Sequence, residues 1–362
     1  MGTERNDFTV SGDVCSPLWA GRALDGLLSG VTRSHAGLDG RFPLYRTVGQ
    51  DWVSSRRGSW TGGMWTGLLW IRALRSGDPL HVSQARQVHE ALEVWSCANT
   101  ATRGLIFWYP LALSRLLPLQ DRAHLENGAG LAARSLLGHF SPAHGVVPWG
   151  DAFGGPGNRV RVDGAPGVAP LMSHAPGSTP ESARRGVEHL RGHLRRCWDG
   201  RTLVPDHGLD DSAPVSEAAP YWSRGRAWLV TAFADAVGLG VISPQDPFLT
   251  GLLSTRAPLV PCAEEAGGLA GDTGAAAIEA AALLRLADHL RTPGYAQDAR
   301  ERAYRIIRTL VEWCMAPDGG GLTGGSYDTR QGLVTGVESV WGDFFLALAL
   351  AVIEGSVPAD QC

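Results

Sequence analysis

Apolar residues recur at three- and four-residue spacing in about a dozen stretches spread evenly along the chain, and this period limits the possible folds more than any other feature. The stretches lie near 17–33, 60–76, 84–99, 103–117, 121–138, 166–175, 180–197, 222–238, 245–256, 273–291, 295–316 and 340–355, and each predicts a helix. Strand-like alternation is rare. Two helix starts are written clearly. Thr179-Pro180-Glu181 offers a cap, a first-position proline and an early acid. Asp272-Thr273 precedes an alanine- and leucine-rich run of high helix propensity. The stretch at 166–175 is the least regular, because Pro166 and Pro170 interrupt it. Helices joined by alternating short and long loops predict six hairpins closed into a toroid. A stack of helical repeats is the alternative, although no fixed-period motif accompanies it. No boundary divides the chain, so residues 1–362 are expected to form one all-α domain, with 1–15 and 356–362 as loose termini.

Charge and composition remove several classes of function. The net charge is −4, so there is no basic field to hold a nucleic-acid backbone. All 32 basic residues are arginines. The six cysteines, at 15, 97, 197, 262, 314 and 362, form no CxxC pair and have no histidine at metal-ligand spacing, so reduced and mostly buried thiols are expected. The first ten residues lack the basic flank and apolar run of a signal peptide, and no apolar run is long enough to span a bilayer. The expectation is a cytoplasmic protein that works on a small molecule or an oligosaccharide, without metal, cofactor, membrane or nucleic acid. Elbow, zinc-protease and EF-hand motifs are absent from the sequence. That leaves a carboxylate lined by aromatic rings as the best candidate site.

Three segments carry such residues. Trp60, Trp65 and Trp70 stand five apart, so they do not share one helical face and at least one ring should leave the core. Gly62 and Gly63 would let backbone approach a ligand. In Tyr221-Trp222-Ser223-Arg224-Gly225-Arg226-Ala227-Trp228, tryptophans and arginines alternate. Trp222, Arg226 and Gly225 could line one face, with Arg224 and Trp228 on its neighbour. Such a grouping suits a flat, polar, anionic ligand, although solvated arginines on a buried-tryptophan helix would look the same. Asp163 closes a long glycine-rich loop just before a helix, where a lone aspartate is most simply a cap; Asp151 has the same ambiguity. Gly319–Gly321 and the Gly-Gly-Ser at 324–326 read as turn chemistry.

Taken together, several segments resemble glycoside hydrolase family 88, the unsaturated glucuronyl hydrolases, with the related family 105 behind it. WTGGMWTGLLWIRALRSGD resembles that family's W-[ST]-x-G-x-W-x-G-x-L-W helix and the Thr/Ser-Gly-Asp turn after it. YWSRGRAW resembles its W-x-R-G-Q-A-W element, DTGAAAIEAAALLRLA a later helix, and SVWGDFFLALAL its closing W-G-D-Y-Y helix. VRVDGAPGVAPLMSHA resembles the segment with the catalytic aspartate. The matches are collinear. They imply an (α/α)6 barrel and hydrolysis of oligosaccharides that end in a 4,5-unsaturated uronic acid, with no cofactor.

By the same resemblance, Asp163 is the general acid and base and Trp149 an aromatic wall. Trp222, Arg224 and Trp228 contact substrate, Trp60 stacks on it, and Trp65 and His207 join the pocket. The family's second aspartate falls at Thr102 and the preceding histidine at Ala101, so one carboxylate is missing; Arg226 stands where the family has glutamine. Three readings follow. One is an unsaturated uronyl hydrolase working with Asp163 alone. Another is a repurposed enzyme of specialised biosynthesis that hydrates, cyclises or eliminates. The third is a carbohydrate-binding protein without catalysis.

Overall fold

The computed structural model describes residues 18–361, except 121, 155, 201, 211–221, 255–257, 264–269, 319 and 330–331. Among the described residues are twelve α-helices. They are α1 (Leu18–Gly37), α2 (Gly62–Ser76), α3 (Pro79–Glu90), α4 (Arg103–Arg115), α5 (Ala123–His139) and α6 (Val168–His174). The second half holds α7 (Pro180–Cys197), α8 (Ser223–Gly238), α9 (Pro247–Ser254), α10 (Thr273–Ala287), α11 (Pro293–Trp313) and α12 (Val340–Glu354).

Contacts between helices close a ring. The even-numbered helices pack in the order α2, α4, α6, α8, α10, α12, and α12 returns to α2. The odd-numbered helices lie outside it: α3 on α2, α5 on α4 and α6, α7 on α6, α9 on α8, α11 on α10, and α1 on α12 and α2. Burial follows this division. Every residue of α10 is buried, as is nearly all of α4 and α8, because the inner helices are enclosed on all sides. Outer helices such as α7 keep an arginine-rich face toward solvent, as expected for a helix with one buried stripe. Closure rules out the open stack of repeats. The described residues form an (α/α)6 barrel.

The two legible helix starts have the expected caps. Thr179 and Ser182 form a reciprocal capping box, and the Asp272 carboxylate accepts from Ala275 N. The third expected helix begins earlier than 84. Asp78 caps it, Pro79 opens it, and a 3-10 turn at Ala91–Trp95 ends it. α6 is short because it starts only after Gly167, whose φ of +70° needs glycine. A Cβ at Gly167 would lie 2.5 Å from the Gly104 carbonyl, so the start of α4 and this turn meet backbone to backbone.

A small antiparallel sheet was not expected. Strands β1 (Phe42–Thr47) and β2 (Val53–Ser55) pair with each other. The hairpin of β5 (Gly325–Thr329) and β6 (Gly332–Ser339) joins them in the order β2-β1-β6-β5. A second pair, β3 (Arg159–Arg161) with β4 (Asp206–Gly208), lies beside the Asp163 turn. The Gly-Gly-Ser segment at 324–326 is therefore only partly a turn. Gly324 has φ +79°, but Gly325 and Ser326 open β5.

The expected loose end at 356–362 is pinned at its start, where Ser356 and Val357 donate to the Ala351 carbonyl and Val357 is buried. Residues 1–15 lie outside the described residues. So do Cys15, Cys362 and Tyr221. Of the other cysteines, Cys197 is buried and its thiol pushed up to about 12 by burial, whereas Cys97 and Cys262 are exposed, so the thiols are less buried than the composition suggested. No described helix is long and apolar enough to cross a membrane.

Candidate active site

The residues that open the inner helices meet at one end of the ring. Trp60 precedes α2, Thr102 precedes α4, Trp222 precedes α8, Asp272 caps α10 and Ser339 caps α12. Sequence segments far apart in the chain are brought together there because all the inner helices start at this end.

Asp163 lies in a 3-10 turn, Val162–Gly164, fed by β3. It is 5% exposed, and its two oxygens accept from Arg161 Nε and Nη2 at 3.2 Å each. This carboxylate holds the Arg161 guanidinium above its ordinary range, against the opposing effect of burial. Arg161 lies 4.5 Å over the Trp149 ring and 5.8 Å from that of Trp222. Two α7 histidines one turn apart support the turn from behind. His189 Nδ1 accepts from Val147 N at 2.9 Å, so Nε2 carries the proton and donates to the Gly164 carbonyl at 3.0 Å. His193 Nδ1 donates to the His189 carbonyl at 3.0 Å. Burial lowers both, His189 well below its usual value and His193 to about 4, so both are neutral. Ala101 N donates to the Trp149 carbonyl, and a side chain at Gly164 would strike the Ala101 Cβ at 3.0 Å. Thr102 is therefore next to the Asp163 turn. It has no exposed surface, and its hydroxyl is bonded to that of Thr100 at 2.9 Å.

The second half of the site is built around Arg224, which is 3% exposed. Its Nη1 donates to Asp272 Oδ2 and Ser326 Oγ, both at 2.7 Å, and its Nη2 donates to Asp328 Oδ2 at 2.7 Å. Its guanidinium lies between Trp222 and Trp341, 5.2 and 5.4 Å from the ring centres. Trp341 stacks on Tyr327 and on Trp60, each at 5.4 Å, and Tyr327 stacks on Tyr45 at 4.2 Å. Burial raises the Tyr327 hydroxyl above its ordinary range. Trp149, Arg161, Trp222, Arg224 and Trp341 thus form one ladder in which guanidinium groups alternate with indoles, and Trp60 stacks on its end.

Other expected residues are elsewhere. Trp60 is the tryptophan that leaves the core stripe. Trp65 is 2% exposed and contacts His35 of the outer helix α1, so the structure does not bring it to this group. Trp228 has no exposed surface and backs Trp60 and Phe345 edge-on. Arg226 does not share a face with Trp222; it pairs with Glu279 at 2.6 Å and donates to the Leu252 carbonyl, among α9 and α10. His207 lies in β4 opposite Val160, its Nδ1 bonded to the Gly208 carbonyl. Asp151 is exposed. Sequence reasoning missed Arg161 as a partner, the His189–His193 pair, and Ser326, Tyr327 and Asp328. It took Asp272 only as a helix start. The HxxxH spacing on α7 was the one available signal.

No protein-family model matches the chain, and no curated protein sequence matches it. Solved structures do. The unsaturated glucuronyl hydrolase of Bacillus sp. GL1, described as responsible for glycosaminoglycan degradation, superposes with a TM-score of 0.79 at 20% identity, covering 92% of this chain and 96% of that one. The enzyme from Streptococcus agalactiae gives 0.79 at 15% identity, covering 92% and 91%. An unsaturated glucuronyl hydrolase specific for heparin gives 0.77 at 18% identity, covering 92% and 96%. The chain shares the (α/α)6 barrel fold of these hydrolases.

Proposed function

We propose that this chain is an enzyme that protonates and hydrates an enol-ether or unsaturated uronyl-type sugar, with Asp163 carrying the proton. The observation behind this reading is a buried carboxylate set beside an indole–guanidinium ladder at the end of a barrel shared with unsaturated glucuronyl hydrolases. In this reading Asp163 gives a proton to the alkene carbon that bears no oxygen, and the carbon next to the ring oxygen becomes an oxocarbenium ion. Water adds to that carbon and returns a proton to the Asp163 carboxylate. The hemiketal then opens to a ketone, and the hemiacetal this leaves at the anomeric carbon breaks down to an aldehyde and releases the alcohol. This differs from the paired-carboxylate hydrolysis of ordinary glycosides, and it needs one proton carrier only.

The bidentate contact with Arg161 suits the second half of this cycle, where Asp163 is an anion that accepts a proton. In the first half, the proton to be transferred takes one of the two oxygens now bound to Arg161, so this reading requires that contact to loosen to a single oxygen. Thr102 cannot hold a charge, so water is oriented without a second acid. That vacancy favours a second reading, in which the barrel and Asp163 are kept for hydration, cyclisation or elimination of a substrate that is not a polysaccharide fragment.

The test follows loss of the enol-ether ultraviolet band from an unsaturated chondroitin disaccharide and from its methyl ester. Turnover of either that falls by about a hundredfold or more in Asp163→Asn, with the fold intact, supports the proposal. Binding without turnover would make the chain a carbohydrate-binding protein.

A further inference from the structure

Asp272 and Asp328 both contact Arg224, but they differ in kind. Asp272 is fully buried, and it also caps α10 and accepts from Ser223 Oγ and Ser326 Oγ, so it belongs to the framework. Asp328 is on β5, its side chain is 59% exposed, and its contact is with the outer nitrogen, Nη2. It is also close enough to Arg161 to add to the field that keeps that guanidinium charged. Its carboxylate thus occupies the position, beside two stacked arginines, that an acidic ligand would take.

The charges around the ladder point the same way. Arg161 and Arg224 face Asp163, Asp272 and Asp328, while Arg159 and Asp206 neutralise each other at 3.0 Å. Arg224 itself already meets two carboxylates, Asp272 and Asp328, before any ligand arrives. The converging helix N-termini offer partial positive charge, but the Asp272 carboxylate already answers it in α10. A ligand carboxylate would have to displace a tethered one, whose effective concentration is on the order of millimolar or more. An uncharged ring would not. It can lie against the indoles, and the buried Trp222 indole N–H has no acceptor among the described residues.

We propose that Asp328 stands in for a substrate carboxylate at Arg224, and that the ring bound here is an unsaturated or enol-ether sugar without a carboxylate at that position. This rests on the reading of the ladder as a sugar site, and it makes Asp328 the residue that sets specificity.

The test measures binding with turnover disabled, so its outcome does not depend on the chemistry of Asp163. In an Asp163→Asn background, tryptophan fluorescence is titrated with the unsulfated unsaturated chondroitin disaccharide and with its carboxyl methyl ester. The ester is expected to bind about tenfold more tightly than the acid, the difference expected of one charged contact. Adding Asp328→Asn should raise affinity for the acid by about tenfold and leave the ester within about twofold, and high salt should erase the gain. Asp328→Ala should behave alike, with circular dichroism and melting confirming the fold of each variant. The proposal is overturned if the acid is preferred with Asp328 in place. It is equally overturned if the folded Asp328 variants gain no affinity for the acid. Failure of every variant to bind either ligand would remove the sugar-site reading as well.

Discussion

A guanidinium can stack through its faces and donate hydrogen bonds in its plane at the same time, which lysine cannot do. That property explains how Arg161 and Arg224 sit among Trp149, Trp222 and Trp341 while binding Asp163, Asp272 and Asp328 edge-on. Thr102 is the residue where a single change should be most informative. It has no exposed surface, and the neighbouring Arg103 is equally buried, bonded to backbone carbonyls and His139, and lowered to about 10 by burial. In Thr102→Asp, a new carboxylate would gain some relief from that cation but would break the bond to Thr100. A stability loss of about 1–3 kcal/mol is expected, with a rise in turnover of the unsaturated uronyl disaccharide. Denaturant titration and the ultraviolet assay measure the two effects. An unchanged rate would mean that the site differs from the unsaturated glucuronyl hydrolases at more than this residue. Asp163, Trp60, Trp222 and Arg224 were legible because each stands in a local motif. Asp328 was not, because its role comes from pairing with an arginine 104 residues away, and nothing in GGSYD marks it.

The same contrast holds for whole elements. Helices were legible because a period of 3.6 and a cap are properties of one segment, as at Thr179 and Asp272. The sheet was not, because β5 and β6 contain several glycines, only the last three residues of β6 are buried, and β1 comes from the other end of the chain. That sheet contains an ionisable pair. Glu338 of β6 binds Arg46 of β1 at 2.8 Å and shares a hydrogen bond with Asp343 in the first turn of α12. Burial, and then the Glu338 charge, push Asp343 well above the usual carboxylate range, so it holds a proton. An acid raised in this way contributes stability that is complete below its unfolded value of about 4 and is lost as pH rises through the folded value. Asp343→Asn keeps the acceptor for Leu322 N and a donor for Glu338 but cannot ionise. Its melting temperature relative to the parent should therefore climb between about pH 5 and pH 8, by at most about 1.4 kcal/mol of stability per pH unit. Parallel melting curves across that range would show that no proton is shared.

At the scale of the whole ring, one buried ion pair ties the barrel to the site. Asp235 of α8 and Arg285 of α10 meet at 2.7 Å with no more than 1% of either side chain exposed. Asp235 also accepts from Tyr109 of α4 and from Gly167 N, at the end of the turn that carries Asp163. The periodicity of each helix gave no hint of this, because the pair exists only once the ring has closed. Removing one partner strands the other's charge, so Asp235→Leu should cost about 3–5 kcal/mol. Adding Arg285→Met removes the stranded cation, and the double variant should regain most of that loss, since packed apolar groups often equal a buried pair. Turnover should behave differently. In both variants Gly167 N has lost its acceptor, and the Asp163 turn has lost the bond that fixes its far end. The double variant is therefore expected to recover its urea midpoint but not its rate of enol-ether loss. Joint recovery of both would mean that His189, through the Gly164 carbonyl, holds the turn without help from Asp235.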